Sequence, residues 1–256
     1  MKDDGAIRNL LSWARAIFFY WPIIALVSLV LEPISLIAGL FDRRVRHTIV
    51  RLWSAICLKL VADVSVQGLE RIDTSKPRLY VANHLSAMDI PLVYRYLPFS
   101  FRIMAHRLVF RVPIIGWWLR LADAIKIAPD SVALTRKALS EAIATLKSGT
   151  SVVIFPEGER APKGEMLPFK PGAFYVAMKA GVDIVPMAIT GAYEALPVGS
   201  AHLRRAELGF IVGDPIPVAD YTRQNLRELA ERVQQAVRDL FHRRDTKKNA
   251  PVAGGS

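Results

Sequence analysis

Leu79-Tyr80-Val81-Ala82-Asn83-His84-Leu85-Ser86-Ala87-Met88-Asp89 begins with four residues suited to a fully buried strand and then turns abruptly polar. That change puts His84 at the mouth of a strand, where α/β folds collect their binding residues. The same pattern recurs at Ser151-Val152-Val153-Ile154, followed by Phe155-Pro156-Glu157-Gly158-Glu159-Arg160. Further β-rich runs at 64–66, 184–189 and 208–212 alternate with helical patterns, which predicts an α/β fold with a mixed sheet flanked by helices. Two polar turns at two strand ends are able to converge on one pocket.

The intervening helices are legible from their periods. Leu134, Ala138, Ala142 and Leu146 share one face of a helix expected over 131–147, with Gly149 as its stop. Leu226, Leu229, Val233, Val237 and Leu240 mark another, after which 243–256 turns polar and Gly-rich and reads as a disordered tail. Ile49, Trp53, Ile56 and Leu60 give an amphipathic helix over 46–61. No internal repeat is present.

The amino-terminal segment has a different chemistry. Between Ala16 and Phe41 the only charge is Glu32, and a helix of that length reaches about 39 Å, enough to cross a bilayer. Pro22 and the pair Glu32-Pro33 interrupt it, so the expectation is two short helices, forming a membrane-associated helical hairpin in one leaflet. Basic residues flank both ends: Lys2, Arg8 and Arg15 before, Arg43, Arg44, Arg46 and Arg51 after. The positive-inside bias therefore does not separate the ends, and both are expected at the cytoplasmic face of the inner membrane. The organisation expected is an anchoring region at 1–61, an α/β domain at 62–242 and a tail at 243–256.

Composition narrows the partners. In 256 residues, 34 Lys plus Arg against 23 Asp plus Glu leave a net charge of +11, which favours anionic partners. A hydrophobic fraction of 52% weights these toward membrane lipid and away from nucleic acid. The single Cys57 excludes an intrachain disulfide framework, and the five histidines lack metal-ligand spacing, so neither metal nor redox cofactor is expected.

A neutral imidazole accepts a hydroxyl proton near physiological pH when its other nitrogen is held, and Asp89 is the nearest carboxylate to hold it. Residues five apart on a continuous helix differ by about 140° around the axis, so His84 must precede a helix that begins between it and Asp89. The bland alternative is a helix start, with His84 and Ser86 as caps and Asp89 ahead of Pro91. In the second turn Gly158 permits close backbone approach, Arg160 suits a phosphate, and Glu157 suits a substrate hydroxyl or a nearby base. Its bland alternative is a charged surface turn. By composition, Asn-His-x4-Asp arises in roughly one such chain in a hundred and Phe-Pro-Glu-Gly-x-Arg in roughly one in ten thousand.

With both blocks intact, the sequence resembles the glycerolipid acyltransferase family that includes bacterial 1-acylglycerol-3-phosphate acyltransferases. The resemblance extends over roughly 64–189, including Pro113 to Gly116 ahead of a Trp-rich helix, and the amino-terminal hairpin looks like the family's anchor. It implies that His84 deprotonates an acceptor hydroxyl, Asp89 orients it, and the hydroxyl attacks an acyl-CoA or acyl-carrier-protein thioester directly. It further implies acceptor binding at Glu157 and Gly158 and a phosphate grip at Arg160, and backbone amides near Gly158 are candidates for the oxyanion.

Departures from the family pattern concern the acceptor. His106 stands where many relatives have a lysine, with Arg107 beside it as a substitute. Pro129 stands where relatives often have an arginine, Glu159 replaces a common threonine and Ala161 a common serine. A phosphate-free lysolipid such as a lyso-ornithine lipid is therefore the alternative acceptor. Lys163, Lys170 and Lys179 are candidates for a basic rim toward the donor, against solvated surface lysines, and Phe99, Phe101, Phe110, Trp117 and Trp118 for an acyl tunnel or a place at the headgroup level, against ordinary core packing. Two further alternatives are a membrane-binding relative without catalysis and a thioester hydrolase using Ser86, although no G-x-S-x-G elbow is present.

Overall fold

The computed structural model describes residues 2–41, 43–112 and 115–248; Pro113 lies outside these, as does most of the expected tail. Among the described residues seven strands form one sheet: β1 (Ala62–Gln67), β2 (Leu79–Ala82), β3 (Phe101–His106), β4 (Ile125–Ile127), β5 (Ser151–Ile154), β6 (Ile184–Thr190) and β7 (Ala206–Val212). Their order is β1-β7-β6-β2-β5-β3-β4, parallel throughout except for β6 against β7. The mixed α/β sheet read from the sequence is thus the observed fold. Central β2 and β5 are buried at every position, because helices cover both faces of a parallel sheet and no alternate residue meets water.

On one face α3 (Arg43–Val61), α4 (Asp89–Tyr96) and α5 (Ile115–Leu121) pack through residues such as Leu58, Leu92 and Trp118. On the other, α6 (Val132–Lys147), α7 (Gly172–Ala180) and α9 (Leu226–Lys248) contribute Ala142, Phe174 and Val233. The short α8 (Ala192–Ala195) follows β6. From β2 the chain passes through α4 on the first face to β3; from β5 it passes through α7 on the second face to β6. These neighbouring strands send their connections to opposite faces and opposite sides. A crevice opens between their carboxyl ends, the kind of switch point at which open α/β sheets bind ligands.

Strand β3 was not evident from the sequence, because Arg102 and His106 break its apolar pattern. The Arg102 guanidinium is satisfied by the Asp123 carbonyl at 2.5 Å, Thr145 Oγ1 at 3.0 Å and the Glu141 carboxylate, so the strand carries it without an unpaired charge.

The hairpin differs from expectation in where it bends. Instead of two short helices within 16–41, α1 (Lys2–Arg15), a π turn (Ala16–Tyr20) and α2 (Trp21–Phe41) continue as one another, and α3 is the returning arm. Pro22 lies two residues past the end of the π turn, a widened turn of the kind that relieves the clash of a proline ring with the carbonyl four residues before it. Pro33 lies within α2, where packing against α3 outweighs its lost hydrogen bond. The polar residues of α2 turn inward beside Ile24 and Leu31: Ser28, Glu32 and Ser35 are buried, and Trp53 Nε1 on α3 donates to Ser28 Oγ at 2.9 Å. Leu26, Leu29, Ile34 and Ile37 point outward and are at least half exposed. That inverted arrangement leaves an apolar surface which water does not favour and acyl chains do. The stretch Gly5–Gly39 is a 35-residue helix long and apolar enough to cross a membrane.

Helix α6 starts where expected, with Ser131 Oγ accepting from the Leu134 amide. Helix α9 continues to Lys248, past the expected start of the tail at 243, and 249–256 lie outside the described residues.

Candidate active site

Residues Val81 and Ile154 are register partners in the β2–β5 ladder, so the two polar turns leave the sheet side by side. His84 follows β2 and Asp89 is the first residue of α4, which gives the break in helical phase that the spacing demands. His84 Nδ1 lies 2.7 Å from Asp89 Oδ2, and the same oxygen accepts the amides of Leu85 at 2.8 Å and Ser86 at 2.9 Å. Asp89 is fully buried at the amino end of its helix, with three nitrogens gathered on that one oxygen. An ionised Asp89 holds the imidazole proton on Nδ1, so the lone pair of Nε2 is available. The ring is stacked on Phe155 with centroids 4.2 Å apart.

His84 is on the wall of a cleft of about 740 Å³, with the exposed Gly158, Glu159 and Arg160 of the second turn around its mouth. Met104, Ile127, Leu139 and Ile154 make its inner surface apolar. A reactive base on the wall of a cavity with polar mouth and apolar interior suits an amphiphile.

Of the remaining expected residues, Gly158 (φ +78°) takes a left-handed conformation, and a Cβ there would meet Lys170 Nζ at 2.7 Å. Its amide donates to the Phe155 carbonyl at 3.1 Å and so is not a free oxyanion donor. Arg160 and His106 line the cleft; His106 Nδ1 accepts the Leu108 amide at 3.2 Å. Lys170 lines it too, whereas Lys163 and Lys179 do not. Arg107 is not among the lining residues: its guanidinium is paired with Asp130, a partner the sequence gave no reason to expect. The expected aromatic tunnel is also absent from this cleft. Trp118 instead belongs to a separate apolar cavity of about 270 Å³ beneath the hairpin, with Trp21 and Trp53.

For Glu157 the expectation offered a substrate hydroxyl or a nearby base, and the contact observed is with the base. Glu157 is not among the residues lining the cleft; its side chain is buried behind the wall, Oε1 accepting the His84 amide at 2.7 Å and Oε2 the Leu167 amide at 2.8 Å. Burial, with a smaller contribution from the charge of Asp89, raises its pKa to about 7, against the pull of the two amides. The folded value exceeds the ordinary 4.5, so the folded state retains a proton that the unfolded chain releases between the two. Stability from this group is full below about pH 4.5 and is lost as pH rises through 7, by on the order of 3 kcal/mol. Denaturant titrations of the parent and Glu157→Gln at pH 5 and pH 8 are expected to show that difference as an extra loss in the parent alone.

Two residues acquired roles that the sequence reading did not give them. Asn83 is buried and bonds the Ile189 backbone twice, at 2.8 Å each, extending the β2–β6 pairing past the strand end. Ser86 is buried with its hydroxyl donating to the Leu196 carbonyl at 2.8 Å, which removes it as a nucleophile. Motif spacing marks Asn83 but cannot reveal its partner 106 residues away.

The family model described as Acyltransferase matches residues 63–190. The chain is 33% identical over 218 residues to the chloroplastic 1-acyl-sn-glycerol-3-phosphate acyltransferase LPAT1 of Arabidopsis thaliana, covering 81% of this chain and 60% of that protein. It is 32% identical over 187 residues to the chloroplastic enzyme BAT2 of Brassica napus, covering 72% and 54%. A Chlamydomonas reinhardtii protein of the same description is 32% identical over 236 residues, covering 89% and 70%. This chain therefore spans between half and two thirds of the length of the first two relatives. The crystal structure of PlsC, the 1-acyl-sn-glycerophosphate acyltransferase of Thermotoga maritima, superposes with a TM-score of 0.76 at 27% identity, covering 92% of this chain and 97% of that one.

Proposed function

The chain belongs to the acyltransferase family, and from that membership we propose that it transfers a fatty acyl group from a thioester to the free hydroxyl of 1-acylglycerol-3-phosphate, giving phosphatidate. The observation that carries this reading is the His84–Asp89 pair on the wall of a cleft with a polar mouth and an apolar interior. His84 Nε2 takes the acceptor's hydroxyl proton as the oxygen attacks the thioester carbonyl carbon. The new C–O bond forms, the C–S bond breaks, and the leaving thiolate recovers the proton from the imidazolium that Asp89 has stabilised. The donor, acyl-CoA or acyl-carrier protein, is a substrate, and no acyl-enzyme is required.

Arg160 serves the acceptor phosphate, and the outward apolar face of α1–α2 seats residues 1–61 in one leaflet at the cytoplasmic face of the inner membrane. Replacing Arg160 by Met is expected to raise KM for 1-acylglycerol-3-phosphate about 10- to 100-fold and to leave a phosphate-free lysolipid unaffected. Mixed-micelle kinetics with a labelled thioester and both acceptors measure this. Glu159 and Pro129 in the cleft favour a second reading, in which a phosphate-free lysolipid such as a lyso-ornithine lipid is the acceptor. Transfer only to that lipid would replace the first reading with the second.

A further inference from the structure

The loop after β5 grips the backbone of His84 from both sides: Glu157 accepts its N–H at 2.7 Å and the Ala161 amide donates to its C=O at 2.9 Å. The side chain of His84 is fixed separately, by Asp89 and Phe155. The backbone position of the base is therefore set by a loop more than seventy residues away in sequence, and its ring orientation by Asp89 together with Phe155 of that loop.

Glu157 also reaches a third segment. Its second oxygen holds the Leu167 amide, and that segment is anchored to α9, where Gln234 Nε2 donates to the Leu167 carbonyl at 3.1 Å and Gln234 Oε1 accepts the Phe169 amide at 3.3 Å. The carboxylate thus ties the turn after β2 to a stretch braced against a long helix on the opposite face of the sheet. A surface ligand for a hydroxyl would present a free oxygen to the cleft, but Glu157 is walled off and both its oxygens are engaged by amides.

We infer that Glu157 is a positioning residue that holds the backbone of His84 for proton transfer, and that it does not bind the acceptor. The inference rests on the proposed acyl transfer. A carboxylate is the side chain suited to the place, because it accepts from two converging N–H groups at once; an amide accepts with one end and opposes the second donor with its own NH2. A misplacement of the reacting atoms by about 1 Å costs on the order of a hundredfold in rate. The effect falls on the chemical step and is shared by every acceptor, since all use the same base.

The test compares the full-length parent, Glu157→Gln and Glu157→Asp in mixed micelles at pH 8, where Glu157 of the parent is ionised, with the phosphorylated and the phosphate-free lysolipid as acceptors. For Glu157→Gln the expected result is a fall in kcat of about 10- to 100-fold, by the same factor on each acceptor the parent uses, with acceptor KM within about threefold. Glu157→Asp keeps the charge but is one methylene shorter, reaches one amide, and is expected to recover part of the rate. A rise in acceptor KM of tenfold or more with kcat retained would overturn the inference, as would unchanged kinetics in both variants. If circular dichroism shows Glu157→Gln unfolded at the assay temperature, Glu157→Asp alone decides, by the same split between kcat and KM. Absence of transfer by the parent would count against the acyltransferase reading itself, which separates the two failures.

Discussion

Replacing His84 by alanine is expected to lower kcat for acyl transfer by roughly 10²- to 10⁴-fold while the protein stays folded. The rate loss follows from the missing lone pair: no other described side chain on the cleft wall combines a neutral basic nitrogen with a bond to a buried carboxylate. The fold is expected to survive because little depends on the ring. It stacks on Phe155 and is partly exposed, and without it Asp89 still accepts the Leu85 and Ser86 amides. The cost to stability is on the order of 1 kcal/mol, a shift of a few degrees in Tm for a chain of this size. Single-turnover transfer from a labelled thioester, read beside a thermal melt, measures both. A variant within fivefold of the parent would mean that another group takes the proton. A folded, inactive variant would also exclude the reading in which the two polar blocks serve only structure.

What the sequence made legible was local. An apolar run that ends abruptly at a polar turn is a strand end whatever surrounds it, so β2 and β5 and the places of His84 and Asp89 could be read directly. What it could not supply was long-range. Nothing in Ser151–Ile154 says that β5 lies beside β2, yet that adjacency makes one cleft out of two turns. The same blindness hid β3, whose Arg102 looks like a surface residue until Glu141 and Thr145 of α6 are brought against it. Arg107 illustrates the opposite error: a free arginine beside a candidate site in sequence, it finds Asp130 in three dimensions and turns away. For Glu157 the sequence left two partners open, a substrate hydroxyl or a nearby base, because an acid in a Gly-containing turn suits either, and the amides that occupy it belong to residues 84 and 167. The hairpin was misread for a related reason. Proline breaks an isolated helix, but a π turn before Pro22 and the packing of α3 along α2 are cooperative features that no local rule contains.

Asp89→Asn is expected to cost about as much rate as loss of His84, roughly 10³- to 10⁴-fold in kcat, though every atom of the imidazole remains. Asp89 Oδ2 accepts three donors, and its other oxygen is buried without a hydrogen-bond partner. An asparagine that keeps its carbonyl toward the three donors buries an unpaired NH2 where that second oxygen lies, and it removes the charge that stabilises the imidazolium. An asparagine turned the other way donates to Nδ1, drives the ring proton onto Nε2, and aims a donor at the hydroxyl the base must deprotonate. Both arrangements lose rate, and they differ in stability. The first retains the two backbone bonds, whereas the second forfeits them at the start of an eight-residue helix and adds a larger fall in Tm. Because Asp89 acts on the reaction through the imidazole of His84, their effects are expected not to add. The double variant His84→Ala/Asp89→Asn should be no slower than His84→Ala alone, within about threefold. Additive losses would mean that Asp89 contributes to the reaction by a route that does not pass through His84.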